Sequence, residues 1–284
     1  MRGGDSKAVQ VGLIGAGIQA SRSPHLHESE ARALGIDCSY RLIDLTALGA
    51  GVEELPRLLA SAQAAGYAGI NITHPCKQAV VSLLDELSPE AEAIGAVNTV
   101  VFAAHGRIGY NTDCLGFAES FRRGLPAVAR ETVVLLGAGG AGAAVAHAAM
   151  QLDCGRVLLH DVDRERAAAL ATRLRRRFGE SRAACVEDLA AAMNSADGLI
   201  QATPIGMLDH PGAPLPLELV RSTHWIAEIV YFPLETELLK HARALGCRTL
   251  DGGGMAVFQA AEAFRLFTGL TPDYDRMLRS FAAA

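Results

Sequence analysis

A glycine-rich block in the middle of the chain sets the strongest limit on the fold. Residues 137–142 read Gly-Ala-Gly-Gly-Ala-Gly, between the apolar, β-branched run Thr132–Leu136 and an alanine-rich stretch. This is the strand–turn–helix context that the G-x-G-x-x-G pattern requires. Gly137 permits the tight turn, Gly139 lets the backbone approach a pyrophosphate, and Gly142 lets the helix pack against the strand. The block therefore predicts a dinucleotide site on a Rossmann-type sheet.

Short β-rich runs alternate with helical patterns along the whole chain, which is typical of parallel sheets covered by helices. The predicted strands are Val9–Gly15, Cys38–Asp44, Ala68–Ile72, Thr132–Leu136, Arg156–His160, Gly198–Ala202 and Trp225–Val230. The length of 284 residues suits two domains. We predict an α/β fold in which residues 1–113, completed by C-terminal helices within 255–284, form a substrate-binding and catalytic domain with a parallel-rich sheet. Residues 114–254 then form a doubly wound, Rossmann dinucleotide-binding domain.

Composition excludes several classes of protein. The net charge of −5 and the lack of a basic arm argue against a nucleic-acid partner. No apolar stretch is long enough for a membrane span, and no signal peptide is evident. The six cysteines form no C-x-x-C pair and no metal-ligand spacing, so we expect no metal and a reduced, cytoplasmic protein. The expected partner is a small-molecule substrate, and the expected state is a monomer or a homodimer.

An acid follows the glycine block at the distance that a dinucleotide site needs. Asp161 ends the next predicted strand, 19 residues after Gly142. A carboxylate there accepts hydrogen bonds from ribose hydroxyls and repels a 2′-phosphate, which favours NAD over NADP. Arg164 and Arg166 are close enough along the chain to tolerate a phosphate, so NADP stays open. Asp161 would also fit as the N-cap of the following helix.

Gly15-Ala-Gly17 is a partial copy of the same motif after the first strand. Its third glycine is replaced by Ala20. We expect no acid at the end of the next strand to match it, and we therefore assign this turn to a substrate loop.

Polar clusters stand at further strand ends, where α/β proteins place ligands. They are Ser21–Pro24, Asn71–Lys77, Asn98–Thr99 and Asn111–Asp113. Each cluster would also suit an ordinary turn or cap, with Ser23 as the cap of a helix that has Pro24 in its first turn.

Taken together, seven blocks in order resemble the shikimate dehydrogenase family, and within it the NAD-using quinate/shikimate dehydrogenases. They are Ser-Arg-Ser-Pro at 21–24, Asn-Ile-Thr-His-Pro-Cys-Lys-Gln at 71–78, Gly-Ala-Val-Asn-Thr at 95–99, Asn-Thr-Asp at 111–113, Gly-Ala-Gly-Gly-Ala-Gly at 137–142, Ala-Thr-Pro-Ile-Gly-Met at 202–207, and the segment from Gly252 to Ala260. The resemblance implies an oxidoreductase of the shikimate pathway of aromatic amino acid biosynthesis or of quinate catabolism. It would convert shikimate to 3-dehydroshikimate or quinate to 3-dehydroquinate, in a cleft between domains.

The resemblance also implies roles for individual residues. Lys77 and Asp113 would be the catalytic pair, since alcohol oxidation needs removal of the hydroxyl proton. The implied substrate-binding residues are Ser21, Ser23, Thr73, Lys77, Asn98, Asp113, Tyr231 and Gln259. The implied cofactor-binding residues are Gly137, Ala138, Gly139, Gly140, Ala141, Asp161, Arg166, Thr203, Pro204, Met207, Val230, Gly252 and Met255.

Some positions depart from the family pattern. Many NADP-using members carry Asn-Arg-Thr where this chain has Asp161-Val162-Asp163, which favours NAD. Cys76, Ser23 and the pair Gly253-Gly254 differ from residues common in the quinate/shikimate branch, which leaves substrate preference open. The alternatives are a dehydrogenase of a related acid such as aminoshikimate and a non-catalytic small-molecule sensor. Retention of both Lys77 and Asp113 argues against the sensor.

Overall fold

The computed structural model describes residues 8–283 and divides into two compact units. The first unit is formed by the chain up to Thr112 together with the chain from Val257 onward. The second unit is Asp113–Ala256. Each unit is built on its own six-stranded sheet.

The sheet of the first unit has the strand order β2-β1-β3-β5-β6-β4. Its strands are β1 (Val9–Gly15), β2 (Cys38–Asp44), β3 (Gly69–Ile72), β4 (Glu86–Leu87), β5 (Thr99–Ala103) and β6 (Gly106–Tyr110). β5 runs antiparallel to both β3 and β6, whereas the other neighbours are parallel. The carboxyl ends of β1, β3 and β6 therefore meet the amino end of β5 at one edge of the sheet. The helices before the second unit are α1 (Ser23–Ala33), α2 (Leu45–Leu48), α3 (Leu55–Ala64) and α4 (Pro89–Ile94).

The sheet of the second unit is parallel at all five strand pairs and has the order β12-β11-β10-β7-β8-β9. Its strands are β7 (Thr132–Leu136), β8 (Arg156–His160), β9 (Ala183–Cys185), β10 (Gly198–Gln201), β11 (Trp225–Glu228) and β12 (Arg248–Leu250). The remaining helices are α5 (Thr112–Gly124), α6 (Gly140–Gln151), α7 (Arg164–Phe178), α8 (Leu189–Ser195), α9 (Glu237–Ala244), α10 (Gly253–Thr268) and α11 (Tyr274–Ala283). This is the doubly wound order, and its switch point lies between β7 and β10, where such sheets bind ligands.

The central strands are buried as continuous runs. All four residues of β10 are buried, as are four of the five in β7, because helices cover both faces of the parallel sheet. α6 is buried at every residue from Gly142 to Met150. Its alanines are small enough for the helix axis to lie close to the sheet, so the glycine turn before α6 is held rigidly.

The structure confirms the two-domain α/β fold class and the predicted bounds of β1, β2, β7 and β8. The sequence patterns missed five short strands, β4, β5, β6, β9 and β12. Ser23 was wrongly expected to cap α1: it is the first helical residue, Arg22 is the N-cap, and Pro24 lies in the first turn as predicted.

All six cysteines lie among the described residues and are free thiols. Four of them are buried, and burial raises the pKa of Cys154 to about 12, which leaves its thiol unreactive. No helix within residues 8–283 combines the length and the apolar character that crossing a membrane requires.

Candidate active site

The glycine turn after β7 leaves room for a ligand at one of its positions. A methyl group on Gly142 would lie 2.1 Å from the carbonyl oxygen of Gly137, and one on Gly137 would lie 2.7 Å from that of Ala202. A methyl group on Gly139 would meet no other described atom within 4 Å. α6 begins at Gly140, so N–H groups of its first turn, which lack intrahelical partners, border this open space. The turn therefore fits the pyrophosphate of a dinucleotide.

Asp161 follows β8 and is tied to the glycine turn. Its Oδ2 accepts a hydrogen bond from the N–H of Ala138 at 2.6 Å, and its Oδ1 accepts one from the N–H of Asp163 at 2.8 Å. A carboxylate has about four acceptor sites, so Asp161 keeps capacity for ribose hydroxyls. Asp161 does not cap α7. That role belongs to Asp163, whose Oδ1 accepts from the N–H of Arg166 at 3.1 Å.

The cations near Asp161 already have acidic partners. Arg166 lies 3.2 Å from a carboxylate oxygen of Asp163, and Arg164 lies 2.9 Å from one of Glu187. Val162 is 99% exposed and offers no charge. This side of the turn thus combines the Asp161 carboxylate with guanidinium groups that already form ion pairs with other acids.

An acid, Asp44, also ends β2, within the predicted bounds of that strand, and it is bonded to the partial glycine turn of the first unit. Asp44 accepts hydrogen bonds from the N–H groups of Gly17 at 2.9 Å, Ile18 at 3.1 Å and Thr46 at 3.0 Å, and from the side chain of Gln19 at 2.9 Å. Burial alone would raise its pKa, but these hydrogen bonds hold the pKa of Asp44 below its usual value. All acceptor sites of this carboxylate are filled by the chain itself.

A buried polar network crosses the first unit at the edge where β3, β5 and β6 meet. The Tyr40 hydroxyl donates to Asn71 Oδ1 at 2.9 Å, and Asn71 Nδ2 donates to Thr99 Oγ1 at 3.0 Å. Thr99 Oγ1 in turn donates to Asn98 Oδ1 at 3.0 Å, and the N–H of Thr112 donates to the same oxygen at 2.8 Å. The N–H of Thr112 can only donate, which identifies Oδ1 as the acceptor, and Asn98 Nδ2 donates to Thr112 Oγ1 at 2.9 Å, so the orientation of the Asn98 amide is fixed.

Gln259 reaches this network from α10. Its Oε1 lies 3.5 Å from Asn98 Nδ2 and 3.5 Å from Thr112 Oγ1. Lys77 is half-buried on the segment after β3, and its carbonyl accepts from the N–H of Val97 at 2.8 Å. Asn98, next along the chain from Val97, is thereby linked through the backbone to the segment that carries Lys77.

Two buried polar side chains occupy paired strand ends in the second unit. Gln201 ends β10 and Glu228 ends β11, and they are direct neighbours in the parallel register. Glu228 accepts from the N–H of Val230 at 3.0 Å and from the Thr236 hydroxyl at 3.1 Å. Burial raises the pKa of Glu228 to about 8, although these hydrogen bonds oppose the shift. The side-chain amide of Gln201 forms its hydrogen bonds with the loop that begins at Thr203.

Three family models match consecutive parts of the chain. The shikimate dehydrogenase substrate binding domain matches residues 13–100, the alanine dehydrogenase/PNT C-terminal domain matches 120–224, and the shikimate 5′-dehydrogenase C-terminal domain matches 252–280. A protein of Streptomyces avermitilis named shikimate dehydrogenase (NADP(+)) is 59% identical over 96% of this chain and 94% of its own length. The chain belongs to the shikimate dehydrogenase family.

Other relatives in this family carry a different cofactor in their names. A Corynebacterium glutamicum protein named quinate/shikimate dehydrogenase (NAD(+)) is 46% identical over 96% of this chain and 98% of its own length. The solved structure of quinate dehydrogenase from Corynebacterium glutamicum in complex with NAD is 45% identical, covers 98% of this chain and 99% of its own, and superimposes with a TM-score of 0.90. Shikimate dehydrogenase family members similar to this chain thus include both NAD-named and NADP-named proteins.

The structure brings together some of the residues expected from the family resemblance. In the first unit, Asn98 and Gln259 share one network, while Ser21 and Ser23 are 3.2 Å apart through their hydroxyl oxygens at the start of α1. Thr73 follows β3 directly and donates its N–H to the carbonyl of Ile14 at 2.9 Å. The first unit thus groups these expected substrate residues around its strand ends.

The other expected residues lie in the second unit. Asp113 is its first residue and is buried in the first turn of α5. Thr203, Pro204 and Met207 lie on the loop after β10. Val230 and Tyr231 follow β11. Gly252 lies close to Val230, since a methyl group on Gly252 would be 2.5 Å from the carbonyl oxygen of Val230. Met255 is buried at the start of α10.

Sequence reasoning missed four polar side chains that hold these residues in place. Three of them, Asp44, Gln201 and Glu228, are polar residues at the end of a strand, and this position is the signal that could have identified them. The fourth, Tyr40, lies inside β2.

Proposed function

We propose that this chain is an NAD-dependent oxidoreductase that interconverts a ring hydroxyl and a ketone of shikimate- and quinate-type acids. It would convert shikimate to 3-dehydroshikimate and quinate to 3-dehydroquinate. Lys77 and Asp113 would carry the chemistry, and the glycine turn of the second unit would bind the dinucleotide. The observation that carries the proposal is the glycine turn with open space at Gly139 beside a partly unfilled Asp161 carboxylate, in a chain of this family.

The fit of the cofactor rests on backbone geometry. Gly137 to Ala141 supply the turn and the first N–H groups of α6 for the pyrophosphate, and Asp161 accepts from the adenosine ribose. The nicotinamide, when bound, accepts or donates the hydride. Its pocket would be lined by residues that follow β10 and β11 and by the start of α10, namely Thr203, Pro204, Met207, Val230, Gly252 and Met255.

Lys77 and Asp113 are the catalytic pair in this proposal. When the substrate carbon gives up hydride, its hydroxyl must also lose a proton, and the Lys77 amine takes that proton; in reduction the ammonium returns it. Lysine suits this role because one nitrogen on a flexible stem can both accept and donate a proton. The Asp113 carboxylate would accept a hydrogen bond from a ring hydroxyl.

The substrate carboxylate is assigned to Ser21 and Ser23. Both hydroxyls stand at the amino end of the eleven-residue helix α1, whose dipole favours an anion. Arg22 between them is engaged elsewhere, because its guanidinium donates to the carbonyl of Phe281 at 3.1 Å and lies 4.8 Å from the centre of that ring.

Ring hydroxyls are assigned to Thr73, Asn98, Asp113, Gln259 and Tyr231. Asn98 is held in one orientation for this role, since its Oδ1 accepts from Thr99 and its Nδ2 donates to Thr112 Oγ1 at 2.9 Å. Gln259, next to it, could accept through Oε1 or donate through its amide nitrogen. A polar substrate with several hydroxyls suits such a set.

The preference for NAD over NADP rests on charge. A 2′-phosphate would face the Asp161 carboxylate, and the Val162 side chain next to it carries no charge. Arg166 would cover the adenosine while it is paired with Asp163, and binding a phosphate would require that pair to break. The NADP-named relative at 59% identity makes this the part of the proposal to test first.

The test is a set of initial rates with shikimate and with quinate, each with NAD and with NADP. We expect turnover of at least one acid with NAD and a much lower kcat/KM with NADP. Turnover with NADP alone would overturn the cofactor assignment. No turnover of either acid, with NAD still bound, would overturn the substrate assignment.

The cellular setting is part of the same proposal. Six free thiols, most of them buried, suit a reducing cytoplasm. We propose that the enzyme is a monomer or a homodimer there, which light scattering at micromolar protein would decide.

A further inference from the structure

Gln201 is a fully buried amide at the end of β10, in the middle of an apolar parallel sheet. Burying an amide is unfavourable unless its donors and acceptor are satisfied. β10 lies beside β7 at the switch point of the sheet, so Gln201 stands under the edge where this fold binds its ligand.

The partners of this side chain all belong to the loop that follows β10. Its Nε2 donates to the carbonyl of Ile205 at 2.8 Å and to Thr203 Oγ1 at 2.8 Å, and its Oε1 accepts from the N–H of Thr203 at 3.1 Å. A carbonyl can only accept and an N–H can only donate, which fixes the orientation of the amide. The N–H of Ile205 also donates to Thr203 Oγ1 at 3.2 Å. Residues 203–205 are therefore folded around the Gln201 amide.

The same loop touches the glycine turn. A methyl group on Gly137 would lie 2.7 Å from the carbonyl oxygen of Ala202 and 3.1 Å from Thr203 Cγ2. The backbone of residues 202–203 and the turn after β7 thus share one contact surface. A shift of the loop would change the space beside the turn.

We propose that Gln201 is a positioning residue for dinucleotide binding, which holds residues 203–205 against the glycine turn before the cofactor arrives. This inference rests on the proposed function, in which Thr203 and its neighbours line the nicotinamide pocket. A loop that is already ordered loses less conformational freedom on binding, and the ligand then binds more tightly. Gln201 itself acts through the loop and does not touch the ligand.

The test compares Gln201→Met with the wild-type protein. Methionine keeps the length and volume of the side chain and removes every hydrogen bond to the loop. We expect the Kd for NAD to rise roughly tenfold, the effect of losing one or two net hydrogen bonds of preorganisation. The KM for the acid should change by less than about twofold, since the residues that Gln201 bonds to, Thr203 and Ile205, are not assigned to the acid. Gln151→Met, the same substitution at an exposed residue of α6, should leave both constants unchanged.

Calorimetric titration with NAD and a thermal melt distinguish the outcomes. A lower Tm with an unchanged Kd would overturn the inference and leave Gln201 a purely structural residue. If Gln201→Met does not fold, Thr203→Val removes the bonds made through Thr203 Oγ1, including the one from Gln201 Nε2, and Thr203→Ser keeps them. The bonds of Gln201 to the N–H of Thr203 and to the carbonyl of Ile205 remain in both variants. The inference then requires weaker NAD binding in the valine variant and recovery in the serine variant. A wild-type protein that binds no dinucleotide would overturn the proposed function itself, whereas equal binding by wild type and Gln201→Met overturns only the inference.

Discussion

The two units each contain a Gly-x-Gly turn after their first strand, and the two turns are alike in the space around their glycines. The first glycine is crowded in both, since a methyl group on Gly15 would lie 2.2 Å from Thr73 Cγ2 and one on Gly137 would lie 2.7 Å from the carbonyl oxygen of Ala202. At the second glycine, Gly17 or Gly139, a methyl group would meet no neighbouring atom of the described chain within 4 Å. The space beside the glycines therefore does not distinguish the two turns.

The acids that hold these turns differ. Asp44 receives four hydrogen bonds from its own unit, including those from Gly17 and Ile18. Asp161 receives two, from Ala138 and Asp163. A carboxylate whose acceptor sites are all occupied only fixes a loop, whereas one with two occupied sites fixes a loop and can still bind a ligand. The comparison teaches that a glycine turn alone does not make a binding site, and that the acid beside it must keep acceptor sites for the ligand.

The contrast extends to how the two units offer polar groups. The first unit offers side chains oriented by a buried network, and the second offers backbone N–H groups exposed by glycines. We therefore expect variants of the first unit to change the chemistry and the binding of the acid, and variants of the second to change the binding of the dinucleotide.

The largest effect should come from Lys77→Ala. Loss of the acid/base group should lower kcat by about 10²–10⁴ while the Kd for NAD stays the same, because the second unit is untouched. Steady-state kinetics and NAD titration measure the two quantities. Lys240→Ala, at an exposed lysine of α9, is the matched control. Near-normal turnover of Lys77→Ala would refute its catalytic role.

Gly139→Ala and Gly17→Ala compare the open second glycine of each turn. Gly139→Ala should raise the Kd for NAD about ten- to hundredfold, as the methyl group blocks hydrogen bonds to the phosphates, with little change in Tm. Gly17→Ala should leave the Kd for NAD unchanged and lower the Tm slightly, because the φ of Gly17 is +65° and alanine is strained there. Calorimetry and thermal melts measure the two quantities, and an equal loss of NAD binding in both variants would erase the distinction between the turns.

The double substitution Asp161→Asn with Val162→Arg should move cofactor preference towards NADP by about tenfold or more, since one charge-assisted hydrogen bond to phosphate replaces a repulsion. Asparagine keeps an acceptor for the N–H of Ala138. The ratio of kcat/KM for NAD and NADP is the readout. Asp44→Asn, at the acid beside the glycine turn of the first unit, is the control and should leave that ratio unchanged.

Thr99→Val should have the smallest effect. It removes a hydroxyl that links Asn71 to Asn98, which should raise the KM for the acid about fivefold, equivalent to roughly 1 kcal/mol of lost orientation. The Kd for NAD should not change. Thr172→Val, at an exposed hydroxyl of α7 that bonds only within its helix, controls for the substitution. An unchanged KM would show that the network does not orient Asn98.

The sequence by itself determined the features that depend on neighbours along the chain. Apolar β-branched runs defined β1, β2, β7 and β8, because burial on both faces of a sheet leaves a continuous local pattern. The glycine block identified the second turn because tight turns and close backbone approach need glycine at fixed spacing. The seven family blocks identified the family because each is a short run of residues in a fixed order along the chain.

Only the tertiary structure decided which carboxylate has all its acceptor sites occupied and which keeps some for a ligand. Asp44 ends β2 and Asp161 directly follows β8, each beside a glycine turn, yet packing brings Gly17, Ile18 and Gln19 to Asp44 and only Ala138 to Asp161. The antiparallel β5 and the hydrogen bonds of the Gln201 amide were equally hidden from the sequence. Pairing between distant strands and the satisfaction of a buried amide depend on residues far apart in the chain, which no local pattern specifies.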